Sequence, residues 1–271
     1  MAHSRLKEPN QLSHDIIIKA QNDRITTLRL NRPQRRNALD QATWIQLAAQ
    51  VAEAAGDPNC AVVILTGGPI AFAAGADISE FETVYADAVT TARFQAHVEA
   101  AMTALEACPK PVIAQISGPC VGGGCGLALA CDIRFADEGA QFGITPAKLG
   151  LVYTPRDIKR VINAAGLSRA KDLLFSGRLI DAQDALRIGL IDRIVPKDQL
   201  EQVTLDYARS LIDNAPGAIG TMKQIMSLLA HDEPQALAVG NQWAAEAAMA
   251  EEFIEGRRAF LAKRRPNFRK N

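Results

Sequence analysis

Two short glycine-containing stretches hold the residue types that could do chemistry. One reads Phe72-Ala73-Ala74-Gly75-Ala76-Asp77-Ile78, and the other runs from Gly118 through Gly122-Gly123-Gly124 to Leu127. Each follows an apolar run, 61–66 in the first case and 112–117 in the second. Ligands of open α/β sheets bind beyond the carboxyl ends of such strands. Glycine lets backbone N–H groups approach a ligand closely, and a helix N-terminus aims unpaired donors at it. Two donors converging on one oxygen would stabilise an oxyanion, with each donor worth about 3 kcal/mol. An ordinary turn or close helix packing also accounts for an isolated glycine triplet. The triplet lacks both the GxGxxG and the GxxxxGK[ST] spacing, so it is neither a dinucleotide fingerprint nor a P-loop.

The elements that must position these turns alternate in type. Residues 14–19 and 24–30 are short β-branched runs separated by Ala-Gln-Asn-Asp, which predicts a hairpin. Residues 39–55 place Trp44, Leu47, Val51 and Ala54 on one helical face. The apolar run 61–66 predicts a buried strand, 90–107 a helix, 111–117 a second buried strand and 131–136 a third. Strands that are apolar throughout and separated by helices imply a sheet covered on both faces, with parallel crossovers. From Ser168 onward the pattern reads as helical, over 170–175, 181–188, 197–214, 218–230 and 235–258. Asp181 is placed to cap one of these helices, and Gly189 to end it. The fold class is therefore α/β. The expected organisation is a lead over 1–13, an α/β core over 14–200 and a helical region over 201–271.

Composition narrows the function further. With 271 residues, 48% of them hydrophobic, the chain can bury a sizeable core. Thirty basic residues balance thirty acidic ones, so nothing attracts nucleic acid or an anionic membrane in general. The five cysteines (Cys60, Cys108, Cys120, Cys125, Cys131) lie mostly among apolar neighbours, and the four histidines are scattered. They read as reduced core thiols in a reducing compartment, and no metal site is expected. No signal-like or membrane-spanning run is present, and a cytoplasmic location is the expectation.

Several motifs in order resemble the enoyl-CoA hydratase/isomerase (crotonase) family across residues 14–268. They are Leu30-Asn31-Arg32-Pro33-Gln34-Arg35-Arg36-Asn37-Ala38-Leu39, the Gly75-Ala76-Asp77 turn, Lys110-Pro111-Val112 leading through the triplet to Cys131-Asp132, Gln141-Phe142-Gly143, Gly189-Leu190-Ile191 and the terminal stretch 259–264. The resemblance implies a crotonase-like spiral of ββα units with a C-terminal helical trimerisation region. It implies an acyl-CoA substrate, no permanently bound cofactor, and a homotrimer or hexamer. Carried onto this sequence, it assigns the thioester oxygen to the N–H groups of Ala76 and Gly123. Ala74, Asp77 and Ile78 match the stretch lining the coenzyme A path, and Arg32 and Arg36 are candidates for its phosphates. Phe260 and Lys263, in a basic tail with Arg269 and Lys270, match residues that reach a neighbouring subunit's coenzyme.

The departures from that pattern bear on the reaction. Family hydratases carry two glutamates that activate water, and here Gly126 and Pro146 stand at those places. Neither can move a proton, and adding water needs a base within reach of it. The Thr145-Pro146 pair with downstream Tyr153 is similar to the methylmalonyl-CoA decarboxylase branch. Decarboxylation yields an enolate that an oxyanion hole can hold, and it needs no strong base to begin. The expectation is accordingly a non-hydratase reaction, with Thr145 and Tyr153 in the reacting wall. Water addition with a substitute acid such as Glu80 or Glu82, and a coenzyme-binding scaffold without turnover, remain open. Asp157 and Arg156 could approach the acyl pocket from the next helix, although a solvated face is the expectation for them, and Asp132 is expected in a structural turn.

Overall fold

The chain enters as a hairpin. The computed structural model describes residues 15–268; the expected lead over 1–13, and Arg269 and Lys270, lie outside the described residues. Strands β1 (Ile17–Asn22) and β2 (Ile25–Leu30) pair antiparallel, with Ile17 opposite Leu30. Asp23 and Arg24 both adopt positive φ, at 49° and 65°. Two such residues turn the strands with the twist that a hairpin favours.

Helix α1 (Gln41–Gly56) starts where Asp40 accepts the Thr43 N–H at 2.8 Å, and it buries Trp44, Leu47, Val51 and Ala54 as the periodicity predicted. Next come β3 (Val62–Thr66), the short α2 (Phe81–Val84) and the long α3 (Ala88–Ala107), which opens on a capping box of Asp87 and Thr90. Then follow β4 (Val112–Ile116), β5 (Pro119–Val121), α4 (Gly123–Ala130), β6 (Ile133–Asp137) and β7 (Gln141–Gly143). The remainder comprises α5 (Pro155–Ala165), α6 (Leu167–Ser176), β8 (Leu179–Asp181), α7 (Ala182–Arg187), β9 (Arg193–Val195) and α8 (Leu200–Ile212). Three helices close the chain: α9 (Pro216–Ala230), α10 (Ala236–Ala247) and α11 (Glu251–Leu261).

Six strands form the main sheet in the order β1-β2-β3-β4-β6-β9, parallel throughout except at the opening hairpin. A smaller sheet runs β5-β7-β8. Burial on both faces explains the unbroken apolar runs. Along β3, Val63 and Leu65 join the large core with α1 and α3, while Val62 and Ile64 point the other way and meet Ala208 of α8. In β4 Val112, Ala114 and Ile116 face the large core and Ile113 faces α8, as a period of two requires. So α8 covers the outer face of the sheet, and the expected division at 200/201 falls at the start of that helix.

Two expectations for the C-terminal half need correction. The stretch after Ser168 is not wholly helical, because β8 and β9 lie within it. Three-residue strands are too short to display a period. The helix expected over 235–258 is two helices, broken at Ala248-Met249-Ala250. No breaker residue stands there. Just beyond it, Glu252 accepts the N–H groups of Gly217 and Ala218, at 2.9 and 3.0 Å, so a carboxylate of α11 caps the start of α9.

The expectations for Asp181, Gly189 and Asp132 hold. Asp181 caps α7 through the Asp184 N–H at 2.8 Å, and Gly189 follows that helix with φ 81°. Asp132 accepts the Val112 N–H at 2.7 Å and pairs with the buried Lys223 of α9 at 2.7 Å. Burial raises the Asp132 carboxyl above its usual range, and Lys223 opposes that shift. All five cysteines are free and buried. Among the described residues no helix is long and apolar enough to cross a membrane, and no cluster suits a metal ion.

Candidate active site

The two glycine turns are stitched to each other. The Ala73 N–H donates to the Pro119 carbonyl at 3.1 Å, and the Val121 N–H returns a bond to the Ala73 carbonyl at 2.9 Å. A third segment joins them, since the Leu39 N–H bonds to the Gly75 carbonyl at 2.8 Å and the Asp77 N–H to the Leu39 carbonyl at 2.9 Å. Ala74 N–H is taken by the Arg36 carbonyl at 3.0 Å, and Gly122 N–H by the Gly143 carbonyl at 2.8 Å. Amid these commitments the N–H groups of Ala76 and Gly123 donate to nothing among the described residues. Both residues line the same cavity.

Two glycines make this arrangement possible. Gly122 has φ 55° and ψ −122°, outside the region L side chains adopt, and it turns the chain so that Gly123 begins α4. A β-carbon on Gly124 would lie 2.4 Å from the Ala73 carbonyl oxygen, so the two turns could not approach with any other residue there.

The cavity is walled by Trp44 of α1, the first turn, Phe81 and Tyr85, one face of α3, the start of α4 and the segment 144–154. Thr145 and Tyr153 reach it as expected. Their oxygens lie 3.7 and 3.9 Å from where a β-carbon on Gly122 would sit, so both approach the second turn. Thr145 stands before the 3₁₀ turn Pro146–Leu149, its carbonyl accepting the Lys148 N–H at 3.2 Å while its side chain makes no cap bond. The Tyr153 hydroxyl has no hydrogen-bond partner among the described residues. Burial pushes its pKa well above the phenol's ordinary 10, and the nearby Cys125, Asp157 and Tyr85 add to the shift. Burial likewise raises Tyr85. Gly126 and Pro146 both line the cavity.

Other expected positions fall elsewhere. Ala74 and Ile78 line the cavity, but Asp77 does not. Its carboxylate bonds to the Ser79 hydroxyl at 2.7 Å and to Arg32 at 2.8 Å, and these bonds hold its pKa below the usual range, Ser79 contributing most. Arg32 is equally engaged, bonding to Asp77, to the Ala38 carbonyl and to Asp40 at 3.2 Å. It is a clasp between turns and not an open phosphate ligand. Arg36 is exposed, and its side chain has no partner among the described residues. Phe260 and Lys263 lie on the exposed C-terminal stretch, away from this chain's own cavity.

The substitute acids also differ from expectation. Glu80 accepts the Gln41 N–H at 2.7 Å, capping α1, and neither it nor Glu82 lines the cavity. Asp157, expected on a solvated face, does line it, together with Glu99. Asp157 pairs with the buried Arg160 at 2.7 Å, and Glu99 with Arg156 at 3.0 Å. Tyr85, Glu99 and Met102 are wall residues that the sequence reading missed. A signal existed for the latter two, because Gln95, Val98, Glu99 and Met102 follow an i, i+3, i+4, i+7 stripe. Asn37 was missed in another role. Its amide bonds to the Gly67 and Ala71 carbonyls at 2.8 and 2.7 Å, and its oxygen takes the Arg32 N–H at 2.9 Å, tying the loop after β2 to the loop after β3.

Comparison with known proteins gives a consistent result. A family model described as enoyl-CoA hydratase/isomerase matches residues 20–271. The 2,3-dehydroadipyl-CoA hydratase of Escherichia coli K12 is 35% identical over 255 residues, covering 93% of this chain and 98% of that protein. Among solved structures, an enoyl-CoA hydratase/isomerase family protein from Hyphomonas neptunium superposes with a TM-score of 0.88 at 39% identity, over 93% of this chain and 97% of that one. The enoyl-CoA hydratase of Bacillus anthracis gives 0.88 at 31% identity, over 95% and 100%.

Proposed function

The chain belongs to the enoyl-CoA hydratase/isomerase family, and from that premise we propose that it is an acyl-CoA enzyme that holds a thioester enolate between the N–H groups of Ala76 and Gly123. The observation that carries this reading is that both donors are unpaired and line one cavity, while the amides around them are committed. Fixed donors in a water-poor cavity stabilise charge without reorganising as it forms.

The reaction favoured is decarboxylation. Gly126 and Pro146 bring no proton-transferring group to the cavity wall. When the carbon–carboxylate bond breaks, its electron pair moves into the thioester as an enolate, carbon dioxide leaves, and the α-carbon then takes a proton. Desolvating a carboxylate against apolar groups favours its conversion into neutral carbon dioxide. Tyr153, kept protonated by burial, can hold the departing carboxylate by donating a hydrogen bond, and water or Thr145 can assist the later protonation. A second reading, water addition, is supported by the name of the Escherichia coli relative and by Glu99 and Asp157 at the wall. Their existing ion pairs with Arg156 and Arg160 weigh against either acting as a free base.

The coenzyme's phosphates fall to Arg36. Phe260 and Lys263 would serve a neighbouring subunit in a homotrimer or hexamer, a reading supported by exposed Met249 between α10 and α11 and exposed Phe253, Phe260 and Leu261 on α11. The deciding experiment incubates the protein with crotonyl-CoA, methylmalonyl-CoA and a 3-enoyl-CoA and follows each by mass and ultraviolet absorbance. Loss of carbon dioxide from methylmalonyl-CoA is expected. Hydration of crotonyl-CoA at ordinary enzymatic rates would overturn the preference for decarboxylation. Tight binding across acyl-CoAs without turnover of any would point to a coenzyme-binding scaffold.

A further inference from the structure

We propose that Met102 sets the acyl length that the cavity accepts, acting as a plug in the space that a side chain at position 126 would fill; this rests on the acyl-CoA reading above. A β-carbon on Gly126 would lie 2.7 Å from the Met102 methyl carbon and 3.7 Å from its sulfur, and these are the two atoms from outside its own helix that it would meet within 4 Å. The slot left by the absent acid is therefore taken by a thioether from a different helix. Both residues line the cavity, and Met102 is only 3% exposed.

Methionine is ordinarily the most adaptable of core residues. Here its sulfur accepts a hydrogen bond from Arg160 Nη1 at 3.3 Å. Arg160 is itself buried and held by Glu106 at 2.6 Å and Asp157 at 2.7 Å. Tethering the sulfur leaves the terminal methyl directed at Gly126. The thioether itself brings no titratable group to the wall beside the cradle. It shortens and dries the acyl pocket, which points to short-chain acyl thioesters as the substrate class.

The test is a binding ladder of acetyl-, butyryl-, hexanoyl- and octanoyl-CoA, measured by calorimetry on the full-length protein. Each methylene accepted into an apolar pocket improves affinity about fourfold. For the wild type the rise is expected to stop at a short chain. Met102→Ala moves that stop by two to three carbons, improving the first excluded ligand at least about tenfold. Met102→Leu, close in volume, leaves the ladder in place. Gly126→Ala shortens it, because its methyl crowds the plug, and adding Met102→Ala restores the longer chains. Should Met102→Ala fold poorly, the shortening by Gly126→Ala decides the matter alone. An unchanged ladder in a folded Met102→Ala protein, or in Gly126→Ala if that protein fails to fold, overturns the proposal and leaves the acyl-CoA reading intact. A wild type that binds none of the four overturns both.

Discussion

The proposed oxyanion cradle and the wall beside it are built from different materials. The cradle is backbone. Its two donors are positioned by carbonyl and amide bonds among three segments, by Gly122 in a conformation closed to other residues, and by the contact of Gly124 with Ala73. The wall is side chain: Met102 and Glu99 from α3, with Thr145, Tyr153 and Asp157 from the segment beyond β7. A backbone device tolerates almost no substitution, because its geometry is shared by every residue around it. A side-chain wall can change one residue at a time while the cradle stays in place. One scaffold can thus keep stabilising an enolate while the group that moves the proton is exchanged or lost.

The comparison breaks most directly at Gly123. Gly123→Pro removes one donor at the first position of α4, where helix geometry accepts proline, and the Trp44 ring, 3.1 Å from where the new β-carbon would sit, must shift to admit it. Turnover should fall about 100- to 1000-fold with acyl-CoA affinity changed far less. Full activity in a steady-state assay would remove the cradle from the mechanism. Next in size is Asn37→Ala, which strips the buried Gly67 and Ala71 carbonyls of their partner. A loss of about 2–3 kcal/mol in denaturant unfolding is expected from orphaning them. A smaller loss would mean that the cradle's foundation is less dependent on side chains than the structure indicates.

The wall should prove more forgiving. Tyr153→Phe keeps the ring and loses the hydroxyl, and a fall of about tenfold in kcat is expected, with unfolding unchanged within about 1 kcal/mol. The wild-type rate should also stay level through pH 10, because burial lifts the phenol's pKa above that value and it keeps its proton. A rate lost in a tyrosine-like titration at pH 10 would contradict the role given to this residue. The smallest effect belongs to neither region and serves as a control. Glu255 in α11 is held down to about 2 by Arg264, with the Asn267 N–H assisting. Its pKa is depressed on folding, so its contribution is complete above the ordinary value of 4.5 and fades as pH falls toward about 2. A smaller exchange protection factor at Asn267 below pH 4, with those of the cradle amides unchanged, is the expected pattern.

How much was legible follows from how each feature is encoded. The opening hairpin, α1, β3 and β4 show their period in consecutive residues, and the structure returns them nearly as read. β8 and β9 have only three residues each and show no period, and the break between α10 and α11 falls at Ala248-Met249-Ala250, where no breaker residue marks it. At the site, the glycines and Tyr153 were visible as types in a pattern. Arg32 and Asp77 were read as facing the coenzyme, yet they clasp each other. Opposite charges far apart in the chain give no local sign that they will pair.

The sequence by itself determined where backbone could come close to a ligand, because only glycine permits those turns, and it determined that positions 126 and 146 hold no acid. Only the tertiary structure decided which N–H groups stay unpaired and what fills the vacated space. Both depend on segments distant in the chain. The Ala76 and Gly123 donors are free because Leu39, Arg36 and Gly143 bond to the residues around them. The slot beside Gly126 is filled because α3 delivers Met102 to it and Arg160 holds it there. Local composition limits what a residue can do; packing decides what is left for it to do.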